Sequence, residues 1–228
     1  CPNAPYCARR GAAAKAARVH EINKDIIITS KVSGPDGNRF DFKFLDAALR
    51  GLKTRALGAH QIENASVAIA AAELFMRKYY GGEWARCILP RAVRSGIFNV
   101  EIPGRLDVVR NNPVVLVDGA HNVASALVLR KTLKTAFKYK KLYLIFGVSA
   151  NKDIKGVLKT ILPLADELIL AKFSNKRLSS PAEIEKIARE TAKINITKTE
   201  NILSAVKYAL SKAERKDLIL VTGSFYIV

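Results

Sequence analysis

From Pro113 to the last residue, short runs of apolar, β-branched residues alternate with segments of helical periodicity, and this alternation limits what the chain can fold into. Residues 114–118 read as a buried strand and 123–139 as a helix with Leu127, Leu133 and Phe137 among its apolar positions. A second strand, 142–148, leads through a polar loop to a helix over 153–162 that Pro163 ends. The pattern repeats with a strand at 167–171, then a helix over 181–193 that Ser180 caps, with Pro181 at its first position and Glu183 in its first turn. A short strand at 194–197, a helix over 201–213 and a strand at 218–222 close the series. Strands joined by helices need right-handed crossovers, so the expected fold class is α/β: a Rossmann-like, mostly parallel sheet covered on both faces.

Upstream the pattern changes. Residues 26–30 and 39–44 read as strands flanking a turn, Ser33-Gly34-Pro35-Asp36-Gly37-Asn38, which predicts a hairpin with an extended loop. An Ala-rich helix is expected over 61–80, stopped by Gly81-Gly82, and helical character over 9–19. This first segment shows few strands of its own and reads as the remnant of a larger domain. Pro103-Gly104 marks the boundary, giving domains at 1–102 and 103–228. The start, Cys-Pro-Asn-Ala, resembles neither an initiator nor a signal peptide and is read as a cut into a longer protein.

Composition removes several classes. The chain is 228 residues long, 49% hydrophobic and 25% charged, enough to bury a core. No apolar run approaches the roughly 18–20 residues needed to cross a bilayer. Three cysteines, Cys1, Cys7 and Cys87, form neither an even disulfide framework nor a Cys-x-x-Cys pair, which fits a reducing cytoplasm and gives no metal ligands. A formal charge of +18 raises the question of a nucleic-acid partner. The lysines and arginines are dispersed along the chain, however, and with a single Trp there is no aromatic cluster for base stacking. The charge reads as a solvated surface that also attracts anionic small molecules.

In an open parallel sheet, ligands bind beyond the carboxyl ends of the strands. The turns expected there are Asp118-Gly119-Ala120-His121-Asn122, Gly147-Val148-Ser149-Ala150-Asn151-Lys152-Asp153, Ser174-Asn175-Lys176-Arg177 and Thr222-Gly223-Ser224. Asp118 at a strand end suits either a ribose hydroxyl or a helix cap. His121 suits an anion at a helix N-terminus or a backbone-satisfied structural role, and Asn122 suits a cap.

Five ordered motifs together carry a family resemblance: Leu57-Gly58-Ala59-His60-Gln61-Ile62-Glu63-Asn64-Ala65, Ile102-Pro103-Gly104-Arg105-Leu106, Val117-Asp118-Gly119-Ala120-His121-Asn122, Phe146-Gly147-Val148-Ser149-Ala150-Asn151-Lys152-Asp153 and Val221-Thr222-Gly223-Ser224-Phe225-Tyr226. In this order they resemble the folylpolyglutamate synthase and dihydrofolate synthase branch of the Mur ligase superfamily, over residues 57–228. The resemblance implies a Mur ligase C-terminal domain preceded by part of the central domain. It implies an ATP-dependent ligase that phosphorylates a substrate carboxylate and lets the amine of L-glutamate attack the acyl phosphate. The implied substrates are ATP, L-glutamate and folate or dihydropteroate, with Mg2+ as the metal, in a cytoplasmic protein that is monomeric at full length. Another Mur-type ligase with a different acceptor, or a basic nucleic-acid-binding α/β domain, are the competing readings.

By motif matching, Asn64 would pair with adenine through its amide, Arg105 would hold phosphate or base and Asp118 the ribose. His121 would serve as the catalytic residue lining the glutamate pocket, with Ser224 and Ser149 binding that amino acid's polar groups. Lys152 and Asp153 either contact the nucleotide or begin a helix. The chain departs from the family in lacking a Gly-x-x-Gly-Lys-[Ser/Thr] phosphate loop, and Val123 stands where proline is common. The phosphate loop, the metal ligands and the pterin pocket are therefore expected upstream of residue 1, with a short tail beyond Val228.

Overall fold

The computed structural model describes residues 12, 15, 17–172, 178–224 and 227, and divides the chain into two compact units. The first comprises residues up to Val32 with Arg39–Thr54 and Gln61–Asn99; the second comprises Ser33–Asn38, Arg55–His60 and Val100–Val228.

Three strands, β1 (Ile27–Gly34), β2 (Gly37–Phe44) and β3 (Ala47–Thr54), form a sheet in the order β1-β2-β3. Phe40, Phe42 and Phe44, at the two-residue spacing of one strand face, are buried with Leu49, Leu52, Ile62, Ile69, Leu89 and Val93 in the core of the first unit. Helix α1 (His60–Tyr80) ends as expected at Gly81, whose φ of +86° is the left-handed stop that glycine adopts without a side-chain clash.

Three features differ from the sequence reading. The hairpin turn is only Pro35-Asp36, because both strands extend further into the Gly-rich stretch. Strand β3 was not expected: Ala47–Thr54 is rich in helix-favouring Ala, Leu, Arg and Lys, and pairing with β2 overrides that propensity. Gly82 does not lengthen the stop but opens a second helix, α2 (Gly82–Asn99), whose buried Ala85, Leu89 and Val93 recur every four residues around an internal Pro90. The helix expected over 9–19 falls largely outside the described residues, and Ala17 to His20 has no regular structure.

The second unit holds a six-stranded sheet in the order β4-β5-β9-β6-β7-β8. Its elements are β4 (Asp107–Asn111), β5 (Val114–Asp118), α3 (Val123–Ala136), β6 (Leu142–Phe146), α4 (Ile154–Ile161), β7 (Glu167–Ala171), α5 (Pro181–Thr191), β8 (Asn195–Thr199), α6 (Ile202–Lys212) and β9 (Leu218–Thr222). Every pairing is parallel except β4 with β5, an edge strand that sequence reading missed because it is short, half exposed and irregular in register near Val108. Residues 174–177, expected to follow β7 as a site loop, lie outside the described residues.

Chain direction explains the two layers. From β5 through β6 and β7 to β8 the sheet grows in one direction, so right-handed crossovers place α3, α4 and α5 on one face, packed on Leu116, Leu144, Phe146, Leu168 and Leu220. The return from β8 to β9 runs backwards, which puts α6 on the other face, where Ala205 and Ala209 meet Ile145, Ile169 and Ile219. Helix starts are set by side-chain caps: Asn122, Asp153, Ser180 and Asn201 each accept from a backbone amide three residues on. Helix α3 stops at Ala136 because Phe137 turns extended, three residues earlier than periodicity suggests. No helix among the described residues is long and apolar enough to cross a membrane.

Leu144, fully buried on β6 in the sheet interior, tests this core. Leu144→Ala should cost about 2–5 kcal/mol in urea unfolding; a loss well below 1 kcal/mol would mean that the strand is not central.

Candidate active site

The carboxyl ends of three neighbouring strands coincide. Asp118 of β5 is in register with Thr222 of β9, and Thr222 with Phe146 of β6. With strands roughly 4.8 Å apart, the turns after all three leave the sheet within roughly 10 Å of one another. The Gly147 amide donates to the Thr222 carbonyl at 3.3 Å, so two of these turns are tied at their base. Gly223 follows with φ +118°, and a Cβ there would collide with the Gly147 carbonyl oxygen and lie 2.9 Å from Cε2 of Phe146. Glycine at this place is a condition for the backbones to meet.

Asp118 is 8% exposed, and both carboxylate oxygens accept backbone amides: Oδ1 from Ala120 and Oδ2 from Leu106, each at 2.9 Å. The Gly119 amide donates to the Gly104 carbonyl at 2.8 Å. One acidic side chain thus fastens the turn after β5 to the 104–106 turn before β4. Leu106 has φ +49°, a left-handed conformation costly for a branched side chain, and the Asp118 bond helps hold it there. Burial pushes the Asp118 pKa above its ordinary value, against the lowering effect of the Leu106 and Ala120 amides and of the charges on Arg105 and His60. Asp118 therefore orders the backbone, and each oxygen keeps a further lone pair for a ligand.

His121 lies at the entrance to α3. Its Nδ1 is 2.9 Å from the Gly119 carbonyl, which requires Nδ1–H as donor and makes Nε2 the acceptor of the neutral ring. Asn122 performs the capping role: its Oδ1 accepts from the Ser125 amide at 2.9 Å, while Ser125 Oγ accepts from the amides of His121 and Asn122. Asp153 likewise begins a helix, accepting from the Gly156 amide at 2.9 Å, and Lys152 is exposed beside it. Ser149 is half-buried, bridges to Leu178 and accepts the Lys152 amide on its carbonyl at 3.1 Å. Ser224 is buried directly after Gly223. Asp118, His121, Ser149 and Ser224 thus share one sheet edge, and Arg105 joins through the turn that Asp118 holds. Asn64 belongs to the first unit, exposed on α1, with Nδ2 donating to Gln61 Oε1 at 3.0 Å.

Sequence reading missed several neighbours. Asn38 donates to the carbonyls of Ala56 at 2.6 Å and Gly58 at 3.1 Å, and fixes the segment preceding His60. Beside it a cleft of about 570 Å³ is lined by Asp36, Arg55, Glu101, Arg105 and Asp107 among others, a size suited to a small ligand. Two buried hydroxyls, Thr222 Oγ1 and Ser179 Oγ, have no hydrogen-bond partner among the described residues; only the motif around Thr222 pointed toward either. Among the described residues no three His, Cys, Asp or Glu side chains gather into a metal-binding group.

Residues 104–225 match the family model for the Mur ligase, glutamate ligase domain. The chain belongs to the Mur ligase family. It is 28% identical over 227 residues to the dihydrofolate synthase/folylpolyglutamate synthase of Bacillus subtilis, covering 100% of this chain and 51% of that protein. A protein of the same description from Mycobacterium tuberculosis is 32% identical over 155 residues, 68% of this chain and 31% of that one. The structure of Mycobacterium tuberculosis folylpolyglutamate synthase complexed with ADP superposes with a TM-score of 0.82 at 25% identity, over 95% of this chain and 49% of its own. The chain spans about half the length of the Bacillus relative.

The raised Asp118 pKa has a sign that can be measured in this Mur ligase chain. A carboxyl protonated more readily folded than unfolded contributes most at pH below its ordinary value, and that contribution is lost as pH rises through the raised folded value. The stability of the wild type relative to Asp118→Asn, from urea unfolding between pH 3.5 and 7 on the order of every half unit, should therefore fall with rising pH. A difference that grows with pH would show that the two amides outweigh burial.

Proposed function

We propose that the protein carrying this chain is an ATP-dependent ligase that joins L-glutamate to folate, to dihydropteroate or to both. The observation supporting this most strongly is the single rim formed by the turns after β5, β6 and β9, in a chain whose relatives are described as folylpolyglutamate and dihydrofolate synthases. In this reading residues 1–102 belong to the central, ATP-binding domain and 103–228 form the glutamate-ligase domain. The protein works in the cytoplasm as a monomer on small-molecule substrates.

A free carboxylate has no leaving group that an amine can displace. Transfer of the γ-phosphoryl group of ATP to the substrate carboxylate supplies one, with ADP released. The glutamate nitrogen then attacks the acyl carbon, the carbon–oxygen bond to phosphate breaks, and the amine proton departs. Asn64 offers its amide to adenine, Arg105 its guanidinium to phosphate or base, and Asp118 its remaining lone pairs to the ribose. His121, with Nδ1–H held on Gly119, turns an accepting Nε2 toward the incoming ammonium or its proton. The amides opening α3 favour a carboxylate nearby, and Ser224 and Ser149 add hydroxyls for the same amino acid. Magnesium, when bound, would supply charge neutralisation at the phosphates; no residue described here is assigned to it.

The test is ligation by the protein that carries these 228 residues together with a phosphate loop. ATP- and glutamate-dependent conversion of folate or dihydropteroate is expected, with kcat/KM lowered on the order of 100-fold or more in His121→Ala. Activity on muramyl precursors alone would move the assignment to another Mur-type ligase, and an unimpaired His121→Ala would remove that residue from the chemistry. The 228-residue chain by itself should show no glutamate-dependent ATP hydrolysis, because its sequence contains no Gly-x-x-Gly-Lys-[Ser/Thr] phosphate loop.

A further inference from the structure

At the amino ends of the same strands the charge has a different character. Val114, Leu218 and Leu142 stand in register at the starts of β5, β9 and β6, so the connections that precede them, at 112–113, 213–217 and 137–141, are neighbours. They enclose a cleft of about 680 Å³ lined by Asn111, Asn112, Val114, Lys138, Tyr139, Lys140, Arg215 and Lys216. Four of these eight residues are cations, two are carboxamides and none is an acid.

The cations sit on a fixed frame. The Lys140 amide donates to the Lys216 carbonyl and the Leu218 amide to the Lys141 carbonyl, each at 2.9 Å. Asp217 is buried, and both its oxygens are taken by backbone amides, of Lys141 at 3.1 Å and of Glu214 at 2.8 Å, so this acid holds the two loops together at the rear of the cleft. Glu214 reaches Lys140 at 3.5 Å, but both side chains are more than 60% exposed, and such a surface pair is readily given up. Lys138, Arg215 and Lys216 have no carboxylate within ion-pair distance among the described residues. Tyr139 is half-buried, and its phenol is a hydrogen-bond donor at neutral pH.

We propose that this cleft, on the sheet edge opposite the active rim, is an accessory site for an oligophosphate anion. Clustered ammonium and guanidinium groups match several phosphate oxygens at once, and the carboxamide and phenol donors lie beside them. The loops are already braced by backbone bonds, so binding orders little beyond side chains. The shared chemistry is a run of phosphates, whether free in solution or in the backbone of a nucleic acid. The site is independent of the ligase reading, since it uses none of the residues assigned to that reaction.

The experiment titrates tripolyphosphate into the 228-residue chain by calorimetry, comparing wild type with Lys140→Glu/Lys216→Glu and with Lys131→Glu/Lys159→Glu, which changes the net charge equally on exposed helix faces. All three should have the same unfolding midpoint to within about 2 °C, as expected for exposed side chains. Wild type should bind, the cleft variant should bind at least on the order of tenfold more weakly, and the helix variant within about threefold of wild type. Equal weakening in both variants would reduce the effect to net charge, and no weakening in the cleft variant would place the anion elsewhere; either result overturns the proposal. So would preferential binding of a glutamate oligomer over tripolyphosphate. Competition by a short single-stranded oligonucleotide, with a steep salt dependence, identifies the source as a polymer backbone, and lack of competition identifies a free oligophosphate.

Discussion

The carboxylate of Asp118 takes the amides of Leu106 and Ala120 at the end of β5, and the arrangement of the candidate rim depends on those two bonds. Through Ala120 it shapes the turn that delivers His121 to the start of α3. Through Leu106 it stabilises a left-handed residue in the turn that carries Arg105. A buried carboxylate is costly unless its charge is met by donors. Here both oxygens are met, yet burial still leaves the group easier to protonate than in water. Asp118 is thus a structural fastening between two turns; Asn122, not Asp118, caps α3, so the helix-cap reading of Asp118 does not hold.

The sheet topology makes the rim possible. Strand β9, last in sequence, inserts between β5 and β6 and brings Thr222-Gly223-Ser224 between two turns that lie far before it in the chain. The backbone approach of Gly223 to Gly147 closes the remaining gap. The same insertion aligns the loops at the opposite edge, where Lys140 and Lys216 share a backbone bond. Two edges built by one set of strands thus acquire different chemistry: mixed polar groups and glycines at the carboxyl end, cations at the amino end.

Strands β5, β7 and β9 were legible to the residue because an uninterrupted apolar run has nowhere to go but the middle of a covered sheet. The caps at Asn122 and Ser180 were legible because a cap acts locally. Strands β3 and β4 were not, since their pairing comes from partners and not from their own residues: Ala47–Thr54 carries helix formers, and Asp107–Asn111 is an exposed edge. Helix α2 had a readable four-residue apolar period, but Gly81-Gly82 and Pro90 obscured it. The loops of the site were found by the strand-end rule, whereas the commitment of Asp118 to Leu106, and the unpartnered hydroxyls of Thr222 and Ser179, arise only from tertiary contact.

Backbone amide shifts of the protein, recorded while AMPPNP and L-glutamate are added, test most directly whether the chemistry is centred on the carboxyl edge of this sheet. The account predicts that Gly119, His121, Gly147, Ser149 and Gly223 shift together and saturate with the same midpoint for a given ligand. Shifts scattered over unconnected parts of the sheet, or an unmoved His121 and Gly223 at saturation, would contradict it.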